Sequence, residues 1–123
     1  MYTCENLVET DGKSYPMLGL VPTDVKMTGR LSMEFGYVTM TALKDTPFFD
    51  KGEQIRAHEF HYSRADRRGD AFRMDKASGK SWQGIYAEDR ILAGYPHFYF
   101  HNCKKMAGRF VSLAESFRRQ RKQ

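Results

Sequence analysis

Hydrophobic residues recur along this chain with two periods, and the helical one is confined to the C-terminus. In residues 103–119, Met106, Phe110, Leu113 and Phe117 stand at helical spacing, with Ala107, Val111 and Ala114 beside them. That stripe predicts an amphipathic helix packed on a core, and Asn102 just before it suits an N-cap. Upstream, the apolar positions alternate. In residues 30–43, Leu31, Met33 and Phe35 alternate with polar positions, and Tyr37 to Thr41 are all strand formers except Met40. Gly36 between the two runs predicts a turn or bulge joining two strands. In residues 55–62, Ile55, Ala57, Glu59 and His61 share one face, and Arg56, His58, Phe60 and Tyr62 the other. Both faces are mixed, as expected where a strand carries polar groups into a site.

Shorter signals fill the remainder. Residues 71–74, 82–87 and 91–94 read as strands, with turns at 76–80 and at Glu88-Asp89. The charged stretch 63–69 reads as a loop. Residues 15–22, punctuated by Pro16 and Pro22, read as a buried connection or a short strand. Asp11-Gly12 is a turn signal, and residues 1–8 read either as a short helix lacking its earlier turns or as a bare start. The pattern is a series of short strands ending in a helix, without internal repeats.

A chain of 123 residues fits one domain or part of one, and 41% hydrophobic with 14% aromatic residues is enough for a core. The net charge of +5 owes four positive charges to Arg118, Arg119, Arg121 and Lys122. A basic run can attract nucleic acid, but cations in a last helical turn also complement the macrodipole, and the second reading is preferred. No apolar stretch approaches the length of a membrane span, and the start lacks a signal-peptide pattern, so a cytoplasmic protein is expected. Cys4 and Cys103 are far apart and form no CxxC pair, which indicates two reduced thiols and neither a disulfide framework nor a zinc site.

The histidines supply the candidate chemistry. His58 and His61 would share a face only on a helix, and the strand-like setting of residues 55–62 argues against joint metal ligation. His97 follows a strand, a glycine, an aromatic and a proline, a position where loops deliver chemistry; the plainer alternative is a histidine packed in an aromatic cluster.

Four stretches, MLGLVP, VKMTGRLSMEFGYVTMTAL, GEQIRAHEFHYSR and ILAGYPHFYFHNC, occur in an order and at separations that resemble the C-terminal part of the cobyrinic acid a,c-diamide synthase family. The resemblance runs from about Met1 to Phe117, and HEFHYSR is its most specific segment. It implies an α/β fold, part of a class I glutamine amidotransferase-like (flavodoxin-like) domain, in which this portion holds the short strands and the C-terminal helix. In that family an ATP-dependent synthetase domain precedes a domain that hydrolyses glutamine and passes ammonia to the a and c carboxylates of a corrin precursor. Relatives amidate cobyrinate, hydrogenobyrinate or a nickel tetrapyrrole.

The resemblance assigns His97 as the base that serves a cysteine nucleophile. In the family that cysteine lies in a Gly-Glu-Cys-Gly-Gly elbow closely followed by Met-Tyr. Met1-Tyr2 matches that pair, so the elbow is expected upstream, Cys4 does not replace it, and the chain is expected to be inactive alone. Related amidotransferases carry a glutamate two residues after the histidine; Tyr99 stands there, which implies a Cys-His dyad or an orienting group from elsewhere, with Glu59 as one candidate. His61, Tyr62 and Ser63 match the segment whose backbone groups grip glutamine, or alternatively fix a strand edge and an interdomain contact. No metal ligands are assigned. ATP and magnesium are expected only in the synthetase part, because this chain has no glycine-rich phosphate loop. Sheet edges and an apolar face left uncovered would favour a homodimer. A non-catalytic amidotransferase-like binding module is the alternative.

Overall fold

The computed structural model describes residues 1–88 and 90–122, and these form a mixed α/β structure of short strands in separate sheets with one C-terminal helix. The main sheet contains β4 (Gly36–Ala42), β5 (Gln54–Glu59), β7 (Phe72–Asp75), β8 (Ser81–Gly84) and β11 (His97–Phe98). Its order is β11-β5-β4-β7-β8, antiparallel throughout. One face is apolar: Val38, Met40, Ala42, Ile55, Ala57, Phe72 and Met74 are all buried. Phe48 and Phe49 fold over that face from the β4–β5 loop, with Phe49 edge-on to Phe72 at 5.1 Å.

A smaller sheet is built from β1 (Asn6–Val8), β2 (Ser14–Pro16), β3 (Val25–Met27) and β6 (Ser63–Ala65), in the order β2-β1-β3-β6. β1 and β3 run parallel, and β1 and β2 form a hairpin through the Asp11-Gly12 turn, where Gly12 has φ of 86°. Residues 1–8 therefore contribute a strand and no helix, because Leu7 finds both Tyr15 and Val25 as ladder partners. β9 (Tyr86–Glu88) and β10 (Ile91–Ala93) make a third, two-stranded sheet; the Asp89 part of the expected turn lies outside the described residues.

Several expectations give way to tertiary context. Residues 31–35 are not a strand: Met33 is 84% exposed, no ladder partner reaches them, and Gly36 opens β4 at φ of 113° without joining two strands. A row of alternating side chains makes a strand only when a neighbour takes up its backbone groups. Residues 15–22 are not a buried connection, since only Val21 is buried, although Tyr15 and Pro16 do belong to the short strand β2; part of the charged stretch 63–69 is strand β6. The expected strand at 82–87 is broken at Ile85, whose φ of 66° is a strained value for a β-branched residue. Two glycines leave room for it: a Cβ at position 69 would collide with the Ile85 carbonyl, and a Cβ at position 94 with its side chain.

A 3-10 turn, Phe100–Asn102, leads into α1 (Lys104–Gln120). Asn102 ends that turn and does not cap; Cys103 is the N-cap residue and makes no side-chain capping bond. Of the helical stripe only Met106 is buried, while Phe110, Val111, Leu113 and Phe117 are exposed. Periodicity requires one apolar face but does not supply what covers it. The first half of α1 is tied down by Arg109, which bonds the Phe48 carbonyl at 3.0 Å and Glu53 at 2.9 Å. Among the described residues no helix is long and apolar enough to cross a membrane.

Candidate active site

His97 opens β11 directly opposite His58 of β5. Its Nδ1–H donates to the His58 carbonyl at 3.0 Å; because a carbonyl only accepts, Nδ1 carries a proton, and in the neutral ring Nε2 then holds the lone pair. The ring is exposed, unlike a histidine packed in an aromatic cluster. A backbone carbonyl of β5 thus orients the imidazole. Tyr99 is 66% exposed, and the Glu59 carboxylate is engaged elsewhere.

Around His97 the outer face of the sheet is aromatic. The His58 ring lies edge-on to Phe35 at 5.5 Å and to Tyr37 at 4.9 Å, and Phe60 touches both Phe35 and Tyr62. The alternation read along residues 55–62 persists past the end of β5: Ile55, Ala57, Glu59, His61 and Ser63 point inward, whereas Phe60 and Tyr62 are about half exposed.

Those inward groups form a polar network. His61 Nδ1–H donates to the Ser63 carbonyl at 2.7 Å, and Nε2 stands 3.1 Å from Glu59 Oε2. Tyr95 lies flat on the His61 ring, with centroids 3.7 Å apart and planes 7° apart, and its hydroxyl meets Ser63 Oγ at 3.0 Å. Burial pushes the Tyr95 phenol up, so it remains a proton donor at neutral pH. Tyr95, Glu34 and Arg68 escaped sequence reasoning. The available signal was Glu59 itself, since a carboxylate on a buried face requires partners.

Glu34 completes the polar region, bonded to Ser32 and Arg68 and 3.5 Å from Lys80. Burial pushes its carboxyl up, but Ser32, Arg68 and Lys80 outweigh this and lower it from 4.5 to about 2. The folded value lies below the unfolded one, so the stabilisation is complete above pH 4.5 and is lost as pH falls toward 2. Urea midpoints measured across that window should fall steeply in the wild type and less steeply in Glu34→Gln; identical slopes would remove Glu34 as a contributor.

Ligand atoms of Glu34, Glu59 and His61 converge within 4.8 Å. Arg68 and Lys80 already compensate Glu34, and His61 already engages Glu59, so the group does not fit magnesium.

A cavity of about 400 Å³ opens between the sheets, lined in part by Glu59, Arg68, Trp82, Ile85, Tyr95 and Pro96. Tyr95, Pro96 and Phe98 line it, whereas His97 does not. The carbonyls of the 61–63 segment are spent within the chain: Ser32 N–H donates to His61, Thr28 N–H and Oγ1 to Tyr62, and His61 to Ser63. Cys4 is buried beside Val25 and Ala65 with its thiol donating to the Asn6 carbonyl, and burial pushes the Cys103 thiol up.

The family described as the CobB/CobQ-like glutamine amidotransferase domain matches over residues 1–105. The chain belongs to this family. The matched region includes His97 and the 61–63 segment and stops just inside α1. Similar curated proteins are cobyrinate a,c-diamide synthases. That of Fusobacterium nucleatum is 38% identical over 111 residues, covering 85% of this chain and 23% of that protein. That of Caldanaerobacter subterraneus is 32% identical over 123 residues, covering 98% and 27%. The Priestia megaterium protein is 32% identical over 126 residues, covering 99% and 27%. The chain thus spans about a quarter of the length of these relatives.

Proposed function

We propose that this chain is the histidine-bearing part of the glutaminase domain of an ATP-dependent cobyrinate a,c-diamide synthase, a ligase of cobalamin biosynthesis. The observation that carries the reading is the His97 ring, held through Nδ1 by the His58 carbonyl with Nε2 free on an open face. Nε2 takes the proton of a cysteine thiol, and the thiolate attacks the glutamine carboxamide carbon. The resulting imidazolium returns the proton to the leaving ammonia as the tetrahedral intermediate collapses to a thioester. Water, activated by the same nitrogen, then releases glutamate.

The thiol belongs to a segment outside residues 1–123, and ATP and magnesium to a synthetase part that accepts the ammonia for the a and c carboxylates. Two free cysteines suit a cytoplasmic setting. Glutamine contact, which the resemblance assigns to His61, Tyr62 and Ser63, falls chiefly to Tyr62, the one of the three with an exposed side chain. Ammonia release from glutamine should be at background for this chain alone and measurable for the full-length protein. Turnover by the isolated chain would defeat the claim that its nucleophile lies elsewhere, and absence of turnover in both would favour the binding-module alternative.

The exposed Phe110, Leu113 and Phe117 of α1 lie on one stripe, and a homodimer that buries them is part of the proposal. Light scattering at micromolar concentration should report twice the chain mass; a stable monomer removes the dimer.

A further inference from the structure

The HEFHYS stretch and the segment 94–97 touch at two points, and together these close a small loop of chain. At the first, His97 pairs with His58 in the β11–β5 ladder and its ring bonds the His58 carbonyl. At the second, three residues further along one strand and two residues back along the other, Tyr95 stacks on His61 and bonds Ser63. Only Pro96 separates Tyr95 from His97, and its ring restricts the backbone there. Tyr95 also packs against the Cys4, Val25 and Ala65 cluster of the smaller sheet. The second point therefore anchors the approach to β11 on a body separate from the main sheet.

β11 is two residues long and cannot define its own register through a ladder. A slip by one residue would turn the His97 ring to the cavity side and Phe98 outward. The Tyr95 anchor opposes that slip. The His61 ring is itself fixed on both edges, by the Ser63 carbonyl and by Glu59, which is 2% exposed. A flat, doubly bonded imidazole is a rigid platform for the phenol.

We infer that Glu59, His61, Ser63 and Tyr95 are positioning residues that hold the register of β11 on β5 and thereby keep the His97 ring in the Nδ1–H form with Nε2 directed outward. The placement itself is independent of the catalytic reading, and its kinetic consequence rests on that reading. The four act through Tyr95 and Pro96 on His97.

The test uses the 123-residue chain labelled uniformly with 15N. Two-bond proton–nitrogen spectra should show wild-type His97 as a single Nδ1–H tautomer. In His61→Gln, which removes the platform, that signal should move toward a mixture of tautomers while the β4 and β7 amide shifts stay in place. Where His61→Gln fails to fold, Tyr95→Phe carries the test, since it retains the stacked ring and loses only the bond to Ser63. An unchanged His97 tautomer in a folded variant overturns the inference. In the full-length protein the same substitution should lower glutaminase kcat by about tenfold and leave the glutamine KM within about twofold. Loss of binding without loss of kcat would instead make His61 a substrate contact and overturn the positioning role. If His97→Ala retained full glutaminase activity, the base assignment would fail while the tautomer measurement stood.

Discussion

Replacing His97 with alanine in the full-length protein is expected to reduce glutamine hydrolysis by about a thousandfold, roughly 4 kcal/mol of transition-state stabilisation, with little change in the glutamine KM. The size follows from the chemistry. Without Nε2 the thiol must lose its proton to water, and the departing nitrogen leaves without a positioned acid, so both halves of the reaction suffer. The fold should not suffer. The ring is exposed and makes one hydrogen bond, to a carbonyl that solvent can reach instead, and surface changes of this type usually stay within about 0.5 kcal/mol. Steady-state ammonia release together with a urea titration separates the two effects. Activity within a few fold of wild type would eliminate His97 as the base, and an activity loss that tracked unfolding would make the result structural.

Phe72→Ala should produce the largest loss of stability among single truncations, about 3–5 kcal/mol. Phe72 is fully buried on β7, between the central strand β4 and the edge strand β8, paired with Ala42 on one side and Gly84 on the other. Ala42 and Gly84 are small, so the aromatic ring fills volume that neither neighbour can reclaim, and Phe49 loses its edge-on partner. A domain stabilised by 5–15 kcal/mol would keep only part of its margin. The urea midpoint should fall sharply with the slope nearly constant. A change below about 1 kcal/mol would mean that this sheet face collapses around the vacancy, and that the core is less tightly packed than the burial of its side chains indicates.

How much of this was legible along the chain depended on whether the deciding neighbour was local. The alternation from Ile55 to Tyr62 sorted inward from outward side chains correctly, because pleating is a property of the backbone alone. It did not show that the strand ends at Glu59, nor that the chain then passes from the main sheet to β6 of the smaller one. Leu31, Met33 and Phe35 carry the same alternation and form no strand, since among the described residues no strand pairs with them in a continuous ladder. Ile85 reads as a good strand residue and instead breaks one, at a φ that glycines 69 and 94 leave room for from a distance in sequence. For the site, the family motifs singled out His97. The group that orients it left no trace in the side chains, because it is the backbone carbonyl of His58.

The amino-acid sequence by itself determined the residue types available for chemistry, the α1 helix and the polarity of each strand face, because these depend on composition and on contacts a few residues apart. Only the tertiary structure decided which way the His97 ring points, that Tyr95 rests on His61, and that most of the α1 stripe remains uncovered. Each of those outcomes depends on pairing between segments some tens of residues apart, where register, a feature no local pattern encodes, sets which groups meet.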